Sequence, residues 1–169
     1  WVTVCIIAIF IIYFIVVVIK DYNRYNDSNP YLIEGTIQGS VANHINGYKS
    51  KHSDDEKYGI EFSYSVWLNI DYKNFSNSNS NPTYKHIFHK GSESAIPLQC
   101  PGVWLYPKDN KLSINFNTYY SVKESCDVGN IPLNKWFNLT IIAINKSVDV
   151  YINCNLKKRH VMKGVIKTN

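Results

Sequence analysis

Acidic side chains are the first candidates for chemistry in this sequence. Two carboxylates on one face of a strand could serve as nucleophile and general acid in the cleavage of a glycosidic bond. No Glu-x-Asp-x-x-Glu pattern occurs, and Glu93, Glu124 and Asp149 are isolated from one another in the sequence. The acidic cluster at 54–56 precedes the first clear strand, and we interpret it as a solvated loop. The sequence therefore predicts a protein that is not an enzyme.

Histidines are the second group of candidates, because imidazole is a common metal ligand. His86 and His89 are three residues apart. On a regular strand, side chains at that spacing point to opposite faces of the sheet, which would not give a metal pair. His44, His52 and His160 lie in no recognisable motif. We predict ordinary polar or partly buried histidines and assign no metal.

Cysteines could form a disulfide or remain free thiols. Cys5 lies in an apolar run and is expected to act as a small apolar side chain. Cys100 and Cys126 flank a predicted hairpin at 103–116, and a bridge between them would close about 25 residues and add roughly 3 kcal/mol. Such a bridge needs an oxidising compartment. Both states remain open, and in the bridged state Cys154 would be unpaired.

Tryptophans are the remaining binding signal. Trp67, Trp104 and Trp136 could stack on sugars or contact a partner, and they could also pack in a core. Core packing is the interpretation that we prefer. Trp67 and Trp104 nevertheless point away from the aliphatic faces of their strands, so we keep both as candidate contacts for a glycan or a partner protein.

Asparagine in an Asn-x-Ser/Thr sequence can carry a glycan where the chain enters a lumen. Four such sequences occur, at Asn26, Asn74, Asn138 and Asn145. Asn74 lies in a polar loop and is the best acceptor among them. Asn138 lies at a predicted strand start and is the poorest.

The elements that must position these groups begin with an apolar segment. Residues 1–19 carry no charge and are followed by Lys20, Asp21 and Arg24. As a helix this segment would rise about 28 Å, close to the roughly 30 Å of a bilayer's hydrocarbon core. A signal peptide has a shorter apolar region, and a buried core helix is seldom apolar on every face. We therefore predict one transmembrane helix, with its orientation open.

Composition distinguishes the rest of the chain from that helix. Only 18% of residues are charged and 14% are aromatic, and Asn, Tyr, Ser and Ile are frequent, which favours strands and turns. The net charge of +5 is modest, and much of it lies in a basic segment at 157–167. We interpret this segment as a strand edge guarded by lysines. Anionic lipid is the alternative, and without a recognition motif we expect no nucleic-acid partner.

A β domain is predicted after the helix. Residues 20–34 are polar and predict a stalk, and residues 35–169 predict the domain. Apolar and polar side chains alternate over 61–70, as in a half-buried strand. Further short apolar runs lie at 86–91, 103–106, 112–116, 139–144 and 148–152. Seven or more short strands predict an antiparallel two-sheet sandwich or jelly roll.

The order of these segments resembles the laminin-G-like, concanavalin A-like jelly-roll family over about residues 61–156. The most specific match is Trp136 ahead of an apolar strand, followed by a second strand that ends in Tyr-Ile-Asn at Tyr151 to Asn153. Family members tend to have glycine next, which adopts positive φ easily. Cys154 stands there instead, so the geometry of this turn is open.

This resemblance implies an all-β jelly roll whose closing strands would follow Lys163, and we expect the domain to be truncated at its C-terminus. Many members of the family bind calcium at the rim of the sandwich through Asp and Asn ligands. Asp109 and Asp127 are predicted to be turn residues, so calcium is possible for the family and is not assigned here.

A membrane span ahead of such a domain is similar to virion proteins of large cytoplasmic DNA viruses, and the segments CPGVWL and NIPLNKWFN resemble their lectin-like proteins. The resemblance implies a non-enzymatic minor capsid protein that tethers the internal membrane to the coat proteins. The alternative is a membrane-anchored lectin that attaches to glycans. The fold alone does not decide between them, because the same sandwich serves both uses.

Overall fold

The structure, a computed structural model, describes residues 1–50, 60–73, 83–94 and 97–167, apart from the side chain of Tyr48. The chain forms two compact units, Trp1–Lys51 and His52–Asn169. The acidic cluster at 54–56, His52 and the glycan acceptor Asn74 lie outside the described residues.

Helix α1 (Val2–Ser28) is the main element of the first unit. None of its residues is buried, and it is long and apolar enough to cross a membrane. The predicted apolar helix is confirmed, but it continues through the first part of the predicted stalk. An existing helix adds one hydrogen bond per residue without a new nucleation step, so the polar residues from Lys20 onward extend it. The backbone N–H of Asn29 ends the helix by donating to the carbonyl of Tyr25 at 3.0 Å.

The segment that follows α1 is irregular. Between residues 30 and 50 the regular structure consists of one turn of 3₁₀ helix, Gly47–Lys49. The N–H of Lys49 donates to the carbonyl of Asn46 at 3.1 Å, which closes this turn. Residues 35–50 belong to the first unit rather than to the β domain in which the sequence analysis placed them.

The described part of the second unit contains eight strands in two antiparallel sheets. Sheet A has the strand order β1-β6-β7-β8, and sheet B has the order β2-β3-β4-β5. The strands are β1 (Glu61–Asn69), β2 (Lys85–Gly91), β3 (Gln99–Leu105), β4 (Lys111–Phe116), β5 (Glu124–Gly129), β6 (Trp136–Ile144), β7 (Ser147–Ile152) and β8 (Asn155–Val161). The predicted two-sheet antiparallel sandwich is thus present.

The core lies between the two sheets. Phe116 of sheet B and Phe137 of sheet A are both fully buried. Phe116 also approaches Phe62 of sheet A, with ring centroids 6.5 Å apart. Burial alternates along β6, because every second side chain of a strand faces the opposite sheet. The other half of the side chains points away from the core, on the two outer faces where the candidate sites lie.

Strand β5 was not predicted. Two buried side chains, Cys126 and Val128, make up the whole inner face of β5, too few for a sequence pattern. Strand β8 covers the first part of the basic segment at 157–167, and it forms an edge of sheet A with Lys157, Lys158 and Arg159 exposed. The predicted lysine-guarded strand edge is confirmed for residues 157–161.

The turn between β7 and β8 keeps its geometry without glycine. Asn153 has φ of 50° and Cys154 has φ of 64°, both in the left-handed region. A non-glycine residue costs roughly 1–2 kcal/mol in that region. Two hydrogen bonds with Asn138 offset this cost: the Asn138 N–H donates to Asn153 Oδ1, and the Asn153 N–H donates to the Asn138 carbonyl, each at 2.9 Å. Asn153, which the family resemblance singled out, therefore secures the end of the β6–β7 hairpin.

Candidate functional site

The solvent-facing side of sheet A carries the first candidate surface. We call it the tryptophan face and define it by seven side chains: Ser65, Trp67, Asn69, Trp136, Asn138, Thr140 and Tyr151. In the β1–β6 pair, Trp67 lies opposite Asn138, and Trp136 lies opposite Asn69. The two tryptophans are therefore diagonal neighbours, with Cα atoms about 7–8 Å apart. One ligand can span this separation.

Both tryptophans of this face are exposed. Trp67 is 63% exposed and Trp136 is 52% exposed. The preferred prediction of core packing is wrong for these two side chains, because their positions on β1 and β6 have the parity that faces away from the opposite sheet. Exposed tryptophan is unusual in a folded domain, and in interfaces it is among the residues that contribute most to binding.

A network of hydrogen bonds holds the polar side chains between the tryptophans. Asn138 Nδ2 donates to Ser65 Oγ at 3.0 Å, and Thr140 Oγ1 donates to Asn138 Oδ1 at 2.8 Å. Tyr151 is half-buried and lies next to this network, opposite Thr140 on β7. All seven side chains of the tryptophan face are uncharged, so a partner can desolvate this surface without burying an ion.

The outward side of sheet B carries the second candidate surface, which we call the polar face. Its side chains lie in two adjacent rows across the four strands. The first row is His86, Trp104, Ser113 and Asp127; the second row is His89, Gly102, Asn115 and Ser125. Ser113 and Asn115 are almost completely buried although they point away from the core. Asn115 Oδ1 accepts hydrogen bonds from Ser113 Oγ at 3.2 Å and from Ser125 Oγ at 2.9 Å.

Trp104 is held at the centre of the polar face. Its Nε1–H donates to Gln99 Oε1 at 2.7 Å, and its ring lies 4.7 Å from that of His86, centroid to centroid. Gln99 reaches Trp104 by passing over Gly102, where a Cβ atom would come within 1.8 Å of Gln99 Oε1. Trp104 is half-buried and lies outside the apolar core, so the preferred prediction of core packing is wrong for it as well, and the orientation that kept it as a candidate contact is the one observed.

Asp127 supplies an unpaired acceptor to the polar face. It lies in β5 and is not the turn residue that the sequence predicted. Tyr106 Oη donates to Asp127 Oδ2 at 2.6 Å, whereas Asp127 Oδ1 is buried and has no hydrogen-bond partner among the described residues. The bond to the Asp127 carboxylate, together with burial and a bond to Tyr84, raises the pKa of Tyr106 well above its usual value. A buried acceptor without a donor costs about 1–3 kcal/mol.

The two histidines of β2 are brought together by irregular strand geometry. The prediction that His86 and His89 point to opposite faces is wrong, because the register of β2 against β3 shifts between His86 and Phe88 and again after His89. Such a shift exchanges the faces on which side chains lie. His86 Nε2 and His89 Nδ1 are 2.8 Å apart, and the ring centroids are 4.8 Å apart.

Two of the isolated carboxylates have structural partners. Asp149 on β7 pairs with Arg159 on β8 at 2.6 Å, and hydrogen bonding to the guanidinium lowers the pKa of Asp149. Glu124 accepts hydrogen bonds from the backbone N–H groups of Lys163 at 2.8 Å and Gly164 at 3.1 Å, and from the hydroxyl of Thr118. Burial alone would raise the pKa of Glu124, but these hydrogen bonds lower it.

Of the two states left open for Cys100 and Cys126, the structure shows the free thiols. Cys100 and Cys126 are free, buried thiols on β3 and β5, and β4 lies between them. Neighbouring strands are about 4.8 Å apart, so these two strands are about 9–10 Å apart, whereas the Cα atoms of a disulfide lie within about 7 Å. Burial raises the pKa of Cys100 to about 12 and that of Cys126 to about 11, which keeps both as thiols.

Comparisons with known proteins add no functional assignment: no protein-family model matches the chain, and no curated protein matches it. The resemblance to laminin-G-like domains therefore stays a prediction from Trp136, Tyr151 and Asn153. Function has to be argued from the two faces of the sandwich and from helix α1.

Proposed function

We propose that the protein is a non-enzymatic, membrane-anchored interaction protein that tethers a membrane to a protein assembly through the tryptophan face. The observation that carries the proposal is the occurrence in one chain of a fully unburied apolar helix and of a sandwich with two exposed, adjacent tryptophans. The helix supplies the membrane attachment, and the tryptophan face supplies the contact.

The composition of the tryptophan face favours protein contact. Interface centres are enriched in aromatic residues and depleted of charge, and the two tryptophans lie among uncharged Asn, Ser and Thr side chains. Trp67 and Trp136 are the expected anchors, because burying an exposed aromatic ring removes a large apolar area from water. The hydrogen-bonded Ser65, Asn138 and Thr140 are already ordered, which reduces the entropy lost on binding.

The finer form of the proposal rests on the sequence. In that form the sandwich is a laminin-G-like, concanavalin A-like jelly roll, the membrane is the internal membrane of a large DNA virus, and the partner is its coat protein. The protein would then be a minor capsid component of the virion. A permanent protein contact in such a shell would have a centre that is rich in aromatic residues and poor in charge, and the tryptophan face has this composition.

Cross-linking mass spectrometry on intact native particles or membranes tests this function. Lys135 precedes Trp136 and lies at the border of the tryptophan face. We expect cross-links from Lys135 to a repeating coat protein, and we expect the double variant Trp67→Ala, Trp136→Ala to lose at least about nine-tenths of them, because interface tryptophans each contribute about 2 kcal/mol or more.

The matched control is Tyr119→Ala, since Tyr119 is also exposed, at 76%, but lies outside both sheets. This variant should keep the wild-type cross-links. Equal cross-linking by the double tryptophan variant, or cross-links that reach no assembly partner, would refute the tether.

A second candidate function is glycan binding at the polar face. The observation that favours it is the buried, unpaired Asp127 Oδ1 in the same row as Trp104. A sugar presents hydroxyl donors along its edge and an apolar face that packs on an aromatic ring. In this alternative the protein is a membrane-anchored lectin that attaches to glycans.

A glycan array probed with the full chain in nanodiscs tests the lectin function. We expect a neutral oligosaccharide to bind and Asp127→Asn to weaken it about tenfold or more, because a hydrogen bond to a charged group contributes about 1.5–3 kcal/mol. Asp149→Asn, which alters a carboxylate of the other sheet, should bind normally. Absence of binding, or unchanged binding by Asp127→Asn, would exclude this function.

A further inference from the structure

The His86–His89 pair has the geometry of a prepared metal site. Two imidazole nitrogens face each other at 2.8 Å on the outward side of sheet B. In a tetrahedral site with metal–nitrogen bonds of about 2.0–2.1 Å, two ligand nitrogens lie about 3.3–3.4 Å apart. A metal ion could therefore take the place of the shared proton if the rings separated by about half an ångström.

The hydrogen bond of His89 to the backbone determines which nitrogen is available. His89 Nε2 lies 2.9 Å from the carbonyl oxygen of Ser92, and a carbonyl oxygen only accepts hydrogen bonds. Neutral His89 therefore carries its proton on Nε2 and has its lone pair on Nδ1, directed at His86. Metal-binding histidines are held in this way, with the second ring nitrogen donating to a carbonyl or carboxylate.

His86 is the adjustable partner. His86 is exposed, whereas His89 is half-buried. The ring of His86 lies against the ring of Trp104. In the absence of metal, His86 Nε2–H donates to His89 Nδ1. When a metal binds, His86 changes tautomer: its ring loses the proton on Nε2 to solvent and gains one on its own Nδ1. His86 Nε2 and His89 Nδ1 then both offer lone pairs to the metal, with no net release of protons.

We propose that His86 Nε2 and His89 Nδ1 bind a divalent transition-metal ion of the Zn²⁺ and Ni²⁺ class at the polar face. Imidazole is a preferred ligand of these ions. The described residues contain no group of three or more His, Cys, Asp or Glu that could hold a metal, so water completes the coordination.

Titration of the full chain with Zn²⁺ and Ni²⁺ tests this site, in detergent and without an oligohistidine tag. We expect one Zn²⁺ to bind by calorimetry and Ni²⁺ to quench part of the tryptophan fluorescence. Loss of a ligand should weaken binding about tenfold or more, so His86→Ala and His89→Ala should each raise the Kd by at least that factor. His160→Ala, on β8 of the other sheet, should leave the Kd unchanged.

A fourth variant locates the ion. Trp104→Phe should keep the affinity for Zn²⁺ and lose most of the quenching by Ni²⁺, because Trp104 is the tryptophan in contact with His86. Circular dichroism establishes that each variant is folded, and His86→Ala is the decisive one because His86 is exposed. The proposal is overturned if no saturable binding occurs, or if His86→Ala binds Zn²⁺ as tightly as the wild type.

Discussion

Replacing Ile9 and Ile12 by aspartate is expected to release the protein from membranes. Both residues lie near the middle of the apolar part of α1, and they are 66% and 61% exposed. An aspartate at the centre of a spanning helix costs about 3 kcal/mol relative to isoleucine, so two cost about 6 kcal/mol and lower the membrane partition by roughly 10⁴-fold. No residue of α1 is buried, so no packing against the described part of the chain offsets this cost. Alkaline carbonate extraction followed by flotation in a density gradient measures the result.

The control for this experiment keeps the apolar character of the helix. Ile9→Leu with Ile12→Leu should float with the membranes like the wild type, because leucine and isoleucine partition almost equally. Flotation also separates membrane-bound protein from aggregates, which sediment. If the aspartate variant still floated, α1 would not be the anchor, and the sandwich itself would have to hold the membrane.

The parts of the fold that could be predicted are those with a regular pattern. Burial alternates along β1, β6 and β7, and in β1 the inward positions are all apolar while every outward position except Trp67 is polar. Each pattern arises because one face of the strand is buried, and successive side chains of a strand point to opposite faces. The pattern can therefore be seen within the strand's own sequence. The apolar helix was predictable from composition, since residues 1–19 carry no charge.

The candidate sites depend on interactions that sequence spacing does not express. His86 and His89 share a face only because β2 shifts its register against β3. Asp127 is a strand residue because β5 pairs with β4, although its own segment has few strand-forming residues. Val128 is a strand-forming residue in this segment, but one such residue does not predict a strand from sequence alone.

The tryptophan face depends on strand parity and on strand register. The parity of Trp67 in β1 places its side chain on the outward face of the sheet, which argues against packing in the core. The diagonal approach of Trp67 and Trp136 required the β1–β6 register, which joins residues about seventy positions apart. Register between distant strands is set by the whole sheet, so the tryptophan face could not be assembled from sequence alone.

Phe116→Ala is expected to destabilise the sandwich by about 3–5 kcal/mol, the range for removing a fully buried phenylalanine. Phe116 is completely buried, and its ring approaches Phe62 of the opposite sheet. The substitution leaves a cavity between two sheets, and neither sheet can move closer without disturbing the rest of the core. Urea unfolding of the full chain in detergent, followed by tryptophan fluorescence, measures the change in the free energy of unfolding.

Trp67→Ala is the matched comparison, because it removes a larger aromatic side chain from the outward face of the same sandwich. Trp67 is 63% exposed, so little apolar area is lost from the folded state, and a cross-strand contact contributes about 0.2–1 kcal/mol. We therefore expect Phe116→Ala to cost at least three times as much as Trp67→Ala. Similar costs for both variants would mean that Trp67 is covered in the folded protein. The tryptophan face would then be part of a core, and the tether would need a different contact surface.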